Sequence, residues 1–190
     1  MFGITTPTLF YFVRHGETEY NRREIRCGGD LDIPLTEIGA QQAGRVAGQL
    51  QTAGAAIGLI VTSPLQRTHR TAEIISDALG GLEIVLVPGF IERRLGDWNG
   101  RPIKDTEPLL RAGQTPPGGE SEAEFHARIE TTLDSLRPVL DRRPLVVASK
   151  GVARMLGEIL GIEERLDAAN AQIIEFDCRP PGEIAIRRLA

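Results

Sequence analysis

Five side chains in this sequence could together handle a small oxyanion: Arg14, His15, Arg67, Glu92 and Lys150. Two guanidinium groups and an ammonium suit an anion with several oxygens, arginine gripping it in bidentate fashion and lysine as a point charge. A neutral imidazole can attack phosphorus and form a covalent intermediate. A nearby carboxylic acid can protonate the leaving oxygen and later take a proton from water. That chemistry needs no metal and no cofactor, and no His, Cys, Asp or Glu cluster in the sequence has ligand spacing. Lys150 stands out by rarity, since Lys104 and Lys150 are the two lysines among 22 Lys and Arg residues.

Taken singly, each of these residues has an ordinary reading. A loop histidine is usually structural or solvated. Glu92 beside Arg93 and Arg94 could be a surface ion pair worth little, and Arg67 an exposed helix residue. What joins them is their place relative to the elements that must carry them. Four continuous apolar runs read as buried strands: TLFYFV (8–13), LIVTS (59–63), EIVLV (83–87) and LVVAS (145–149). Such runs suit parallel strands covered on both faces. The first leads into Arg14-His15-Gly16-Glu17, the second into Ser63-Pro64-Leu65-Gln66-Arg67 and the fourth into Ser149-Lys150-Gly151. The third is followed, after Pro88 and Gly89, by Glu92. In open α/β sheets ligands bind just outside the carboxyl ends of the strands, so all five residues are expected at one edge of one sheet. Gly16 is expected to let the chain turn sharply after His15.

Helical patterns separate the strands. Residues 36–53 follow a Thr36 cap and carry Val46, Ala47 and Leu50 on one stripe. In SPLQRTHRTAEIISDALG, Ser63 is expected to cap and Pro64 to take the first helical position, with Leu65, Ala72, Ile75 and Leu79 inward and Gly80 as the stop. SEAE (121–124) is a capping box ahead of Phe125, Ile129, Leu133, Leu136 and Leu140. Residues 151–160 place Val152, Met155, Leu156 and Ile159 on one side before Gly161. A last strand pair, about 171–177 and 184–189, closes around RPPGE. Alternating strands and helices predict an α/β fold of three layers: a mostly parallel central sheet with helices on both faces. The Pro- and Gly-rich segment 99–119 reads as a lid or insert over the site, within a single domain spanning 1–190.

Bulk properties narrow the partners. A formal charge of −4 argues against bulk electrostatic binding to nucleic acid or an anionic membrane. MFGITTPTLFYFVRHGE lacks the basic start and long apolar core of a signal peptide or anchor, and no other stretch is long enough to span a bilayer. Cys27 and Cys178 are in no metal spacing and are expected as free thiols in the cytoplasm. No exposed apolar stripe forces a dimer.

The stretch VRHGETEYN resembles the histidine phosphatase superfamily, also called phosphoglycerate mutase-like, and the resemblance covers nearly the whole chain. RHGET with Asn21 is similar to the family's signature loop, and DIPLTEIGAQQA (32–43) to the segment leading into its first long helix. SPLQRTHRTAEII (63–75) is similar to its second phosphate-binding segment, IERRLGDWNG (91–100) to its E-x-x-x-G-x-W-x-G stretch, and PPGGES (116–121) also fits. The resemblance implies a phosphoglycerate mutase-like fold. It implies that His15 is the phosphorylated nucleophile, that Arg14 and Arg67 bind the phosphoryl group with help from Asn21, and that Glu92 is the general acid and base. It also implies a second histidine after the fourth strand, where ASKGV puts Lys150.

A lysine there supplies positive charge and three donors to the phosphoryl oxygens. It should also depress the pKa of His15, because two cations in one pocket repel. Its stem is longer and more flexible than an imidazole. The other histidines do not replace the missing one: His69 falls on the apolar stripe of its helix as a packing residue, and His126 lies at the surface. Three functions remain open at this point. They are a phosphomonoesterase acting on a small phosphorylated metabolite, a phosphoglycerate mutase-type transferase, and a phospholigand-binding protein with little or no turnover. Residues 22–33 and 99–119 are expected to wall the pocket; Cys27 reads as a packing thiol, with a place near the pocket mouth as the alternative.

Overall fold

A computed structural model describes residues 8–179 and 184–189. The apolar runs form β1 (Leu9–Arg14), β2 (Ile60–Thr62), β3 (Ile84–Leu86) and β4 (Leu145–Ala148), followed by β5 (Ile173–Asp177) and β6 (Ala185–Leu189). The helices are α1 (Glu19–Arg22), α2 (Glu37–Thr52), α3 (Gln66–Ala78), α4 (Ile103–Arg111), α5 (Glu122–Ser135) and α6 (Lys150–Ile159). The six strands make one sheet in the order β3-β2-β4-β1-β5-β6. β3, β2, β4 and β1 are parallel neighbours, so their carboxyl ends share one edge. β5 runs antiparallel to β1, and β6 antiparallel to β5. The closing strand pair is therefore present; Pro180, Pro181, Gly182 and Glu183 of its connection lie outside the described residues, as do the first seven residues of the N-terminal stretch.

Strand alternation assigns the two faces. Phe10, Phe12, Val61 and Val146 point into a core closed by α5 and α6, where Phe10 stacks on Phe176 with centroids 4.7 Å apart. Tyr11, Val13, Ile60 and Val147 point into the opposite core, closed by Val46 and Leu50 of α2 and Ala72 and Ile75 of α3. Burying each such side chain stabilises the fold by about 1.5–3 kcal/mol relative to leaving it exposed. The layered architecture thus follows from continuous apolar runs in β1, β2 and β4, whose alternate side chains fill the cores on the two faces of the sheet. Among the described residues, no helix is long and apolar enough to cross a membrane.

Four details differ from the sequence expectation. β3 is an edge strand and is only partly covered, so its apolar run does not signify burial on both faces. α3 begins at Gln66, and Ser63 does not cap it. Instead Ser63 is buried and its hydroxyl meets Thr68 Oγ1 at 2.6 Å, while Asp32 Oδ1 accepts from the Gln66 N–H at 2.8 Å. His69 is not a packing residue: its side chain is 39% exposed and lies 3.9 Å from Glu73. The buried face of α3 carries Thr68 and Thr71 instead, whose hydroxyls bond within the core. Finally, α5 stops at Ser135; Leu136 caps it, and Leu140 reaches the core from a short 3-10 turn started by Arg137-Pro138. The Ser121–Glu124 capping box and the Thr36 cap form as expected, and His126 is partly exposed 4.0 Å from Glu130.

Candidate active site

β1 ends at Arg14, and the His15 N–H continues the ladder by donating to Ala148 O at 3.0 Å. That bond ties the start of the His15 loop to the end of β4, immediately before Lys150. Gly16 has no positive φ, so a sharp turn is not what requires glycine. The cause is close approach: a Cβ at Gly16 would lie 2.2 Å from Gly39 O at the start of α2. The Gly16 N–H donates to Thr71 Oγ1 at 3.2 Å, and Thr71 donates to Arg67 O at 2.7 Å. The His15 loop is thereby locked to α2 and α3.

His15 is buried, with Nδ1 2.7 Å from Gly16 O. A carbonyl only accepts, so Nδ1 carries the proton and Nε2 keeps its lone pair. Burial, then Arg67, then Arg14 hold the His15 pKa well below 6.5. Lys150, expected to share in that effect, is not among its causes. The lysine head is drawn elsewhere: Lys150 Nζ lies 3.4 Å from Asp167 Oδ1, and Arg154 binds the same carboxylate. Burial and Arg154 lower the Lys150 pKa, and Asp167 opposes them.

The two arginines are fixed by backbone carbonyls. Arg67 is 1% exposed and donates from Nη1 to Leu31 O at 3.0 Å and from Nη2 to Gly28 O at 3.2 Å. Arg14 donates from Nη1 to Ala168 O at 3.0 Å, while its Nε is buried without a partner. Burial lowers the Arg14 pKa to about 10, which leaves it charged at neutral pH. Neither guanidinium forms an ion pair with a carboxylate among the described residues.

Glu92 follows the 3-10 turn Pro88–Phe90 after β3 and reaches the start of α6. Its Oε1 accepts from the Arg93 N–H and its Oε2 from the Gly151 N–H, both at 2.8 Å. Asn21, in α1, accepts at Oδ1 from the Thr18 N–H at 3.1 Å and from Asn170 Nδ2 at 3.0 Å, which leaves its own amide N–H donors for another acceptor.

Arg14, His15, Asn21, Arg67, Glu92 and Lys150 all line one cleft of about 950 Å³. Glu24 to Cys27 form part of its wall, as do Ile103, Glu107 and Leu110 of α4. The segment 99–119 is therefore partly helical and lies against the cleft. It is fastened there by Glu107, which binds Arg26, Arg111 and Arg165. Burial opposes ionisation of Glu107, but hydrogen bonds from Arg26 and Arg111 prevail and hold its pKa at about 2. Cys27 also lines the cleft; burial raises its thiol pKa, and both cysteines are free.

Among the cleft residues to which sequence reasoning gave no role are Ser149, Arg154, Asp167 and Asn170. Asn170 Nδ2 donates to His15 O as well as to Asn21, each at 3.0 Å, and so orients two site residues. Ser149 Oγ is buried without a partner beside Lys150. Arg154 had a legible signal, one helical turn beyond Lys150. Asp167 and Asn170 arrive on a connection with no periodic pattern.

A model of the histidine phosphatase superfamily (branch 1) matches residues 10–187. The chain belongs to the histidine phosphatase superfamily. It is 37% identical over 185 residues to a Yersinia enterocolitica serotype O:8 protein named "Probable phosphoglycerate mutase GpmB", with 88% of this chain and 83% of that protein covered. A phosphoglycerate mutase from Thermus thermophilus superposes with a TM-score of 0.75 at 31% identity, covering 96% of this chain and 98% of the other. A mycobacterial glucosyl-3-phosphoglycerate phosphatase solved with VO3 superposes with a TM-score of 0.75 at 27% identity, covering 95% and 97%. Superfamily relatives thus carry both phosphatase and mutase names, on the phosphoglycerate mutase-like fold expected from the sequence.

Proposed function

We propose that this member of the superfamily is a phosphomonoester hydrolase working through a phosphorylated His15. The observation that carries the reading is the state of His15: a buried, neutral imidazole with its Nε2 lone pair free, between two guanidiniums that have no carboxylate partner. Arg67 is buried without an ion-paired carboxylate, which is costly, and a phosphoryl dianion offsets that cost. Arg14, Arg67 and the Asn21 amide bind the phosphoryl oxygens, and Lys150 adds charge from the first turn of α6. Nε2 attacks phosphorus, the P–O ester bond breaks, and the leaving oxygen takes a proton from the Glu92 carboxylic acid. Glu92, now a carboxylate, removes a proton from water as that water attacks phosphohistidine. Inorganic phosphate leaves, and His15 is again neutral.

Hydrolysis is favoured over a mutase reaction by the cleft. At about 950 Å³, with Ile103 and Leu110 beside many charged groups on its wall, it has room for an alcohol portion larger than a three-carbon acid. The substrate is read as a small phosphorylated metabolite, with no metal or cofactor taking part, and the cytoplasm as the compartment.

The test is a screen of phosphorylated metabolites scored for phosphate release, run beside an assay for bisphosphoglycerate-dependent interconversion of phosphoglycerates. Phosphate release that is abolished in His15→Ala supports the hydrolase. Interconversion without net hydrolysis would establish the mutase. Ligand-induced thermal stabilisation with neither activity would establish a phospholigand-binding protein.

A further inference from the structure

The carboxylate of Glu92 must hold its place while its protonation state changes twice per turnover. It projects from residues 88–94, a connection whose only regular structure before Glu92 is one 3-10 turn. Something must therefore fix this segment from behind. Arg128, on the second turn of α5, is the group in contact. Its Nη1 donates to Gly89 O at 2.7 Å and to Ile91 O at 2.8 Å, and its Nη2 to Glu92 O at 3.4 Å. The remaining donors go to the Glu120 carboxylate: Nε to Oε1 at 2.8 Å and Nη2 to Oε2 at 2.7 Å. Glu120 is itself buried, and it closes the other side of the segment by accepting from the Arg94 N–H at 3.2 Å. Its backbone carbonyl accepts from Arg93 Nε at 2.9 Å.

Two further contacts make this seat tight. A Cβ at Gly89 would lie 1.9 Å from Thr132 Oγ1, one turn beyond Arg128, so the segment presses directly on α5. The Arg128 guanidinium also lies 5.1 Å from the centroid of Phe125. A planar fork with five donors can span three carbonyls and a bidentate carboxylate together, which an ammonium cannot. Carbonyl contacts of this kind define the backbone path of residues 89–92 and thereby the position from which the Glu92 carboxylate reaches the Gly151 N–H.

We infer that Arg128, held by Glu120, is a positioning residue for the general acid Glu92. The inference rests on the proposed role of Glu92 in protonating the leaving group. Its effect is specific: a general acid matters most when the leaving alkoxide is poor and least when the leaving group departs unaided. Displacing Glu92 should therefore penalise alkyl phosphates more than aryl phosphates, whereas a general loss of folded protein would penalise both alike.

The experiment compares kcat/KM for an alkyl phosphate and for p-nitrophenyl phosphate in the wild type, Arg128→Met, Arg128→Lys, Glu120→Gln and Glu92→Gln, with a thermal unfolding curve for each. General acid catalysis contributes about 100- to 10,000-fold. Glu92→Gln should lose most of that on the alkyl ester and much less on the aryl ester. Arg128→Met should show the same bias, losing about 10-fold more on the alkyl ester than on the aryl one, mainly in kcat. Arg128→Lys and Glu120→Gln should fall between Arg128→Met and the wild type, and either reports the bias if Arg128→Met does not fold. Equal losses on both esters in folded Arg128 and Glu120 variants, with Glu92→Gln biased, would overturn the positioning role alone. An unbiased Glu92→Gln would overturn the role of Glu92, and the inference with it.

Discussion

The Glu92 carboxylate and the Gly151 backbone are in direct contact: Oε2 accepts from the Gly151 N–H at 2.8 Å, and a Cβ at residue 151 would stand 2.0 Å from Oε1. The proposed proton-transfer group, which arrives after β3, is thus registered against the helix that follows β4. No other residue type at 151 leaves room for it.

Gly151→Ala isolates that contact. The atom in the way is the end of a flexible side chain, so the fold survives and Glu92 moves. Alanine also favours the helix by about 1 kcal/mol over glycine. A misplacement of about 1 Å can cost about 100-fold in rate. The variant should unfold at or near the wild-type temperature while kcat/KM falls by about 10- to 100-fold. Steady-state kinetics beside a thermal melt decide it, and wild-type activity would show that Glu92 works from another position.

Burial and two cations keep His15 neutral in the folded protein. In the unfolded chain the imidazole takes a proton as pH falls through about 6.5, and in the folded chain only well below that. The unfolded state therefore binds more protons in this window, and stability declines as pH falls from neutrality. His15→Gln removes the titration. Between pH ~7.5 and ~5.5 the wild type should lose about 1 kcal/mol more than His15→Gln. Urea unfolding at the two pH values measures this, and parallel losses would mean that His15 titrates alike in both states.

Lys150 and Asp167 set up a competition. The ammonium lies 3.4 Å from Asp167 rather than being fixed by backbone carbonyls as Arg14 and Arg67 are. If its charge serves the phosphoryl group, Lys150→Met should lose about 10-fold or more in kcat/KM. Lys150→Arg and Lys150→His should lose less. Equal activity across the three would place Lys150 outside the reaction, and a sharp rise in Lys150→His would mark the lysine as a degraded site.

Much of this site was legible because chemistry-bearing residues follow apolar runs. β1, β2 and β4 end where their patterns end, and the parallel pairing carries His15, Arg67 and Lys150 to one edge. What escaped reading depends on contacts between distant parts of the chain. The cap of α3 comes from Asp32, and Ser63, which looked like the cap, is occupied by Thr68. Thr68 and Thr71 read as polar, yet they are buried because their hydroxyls bond internally, and this turns His69 toward the surface. Arg128 and Asn170 have no periodic or motif signal; only the fold brings them to Glu92 and His15. The effect of Lys150 on His15 was overestimated because Asp167, invisible as its partner in the sequence, draws the ammonium away.

The account depends most on a covalent bond between phosphorus and His15 Nε2. Mixing the protein with phosphorus-labelled aryl phosphate, quenching in alkali, where phosphohistidine survives, and mapping the label reads that bond directly. The account predicts one label per chain at His15, formed and lost at rates matching turnover and missing in His15→Ala. Steady phosphate release by the wild type with no label on His15 at any time would contradict it.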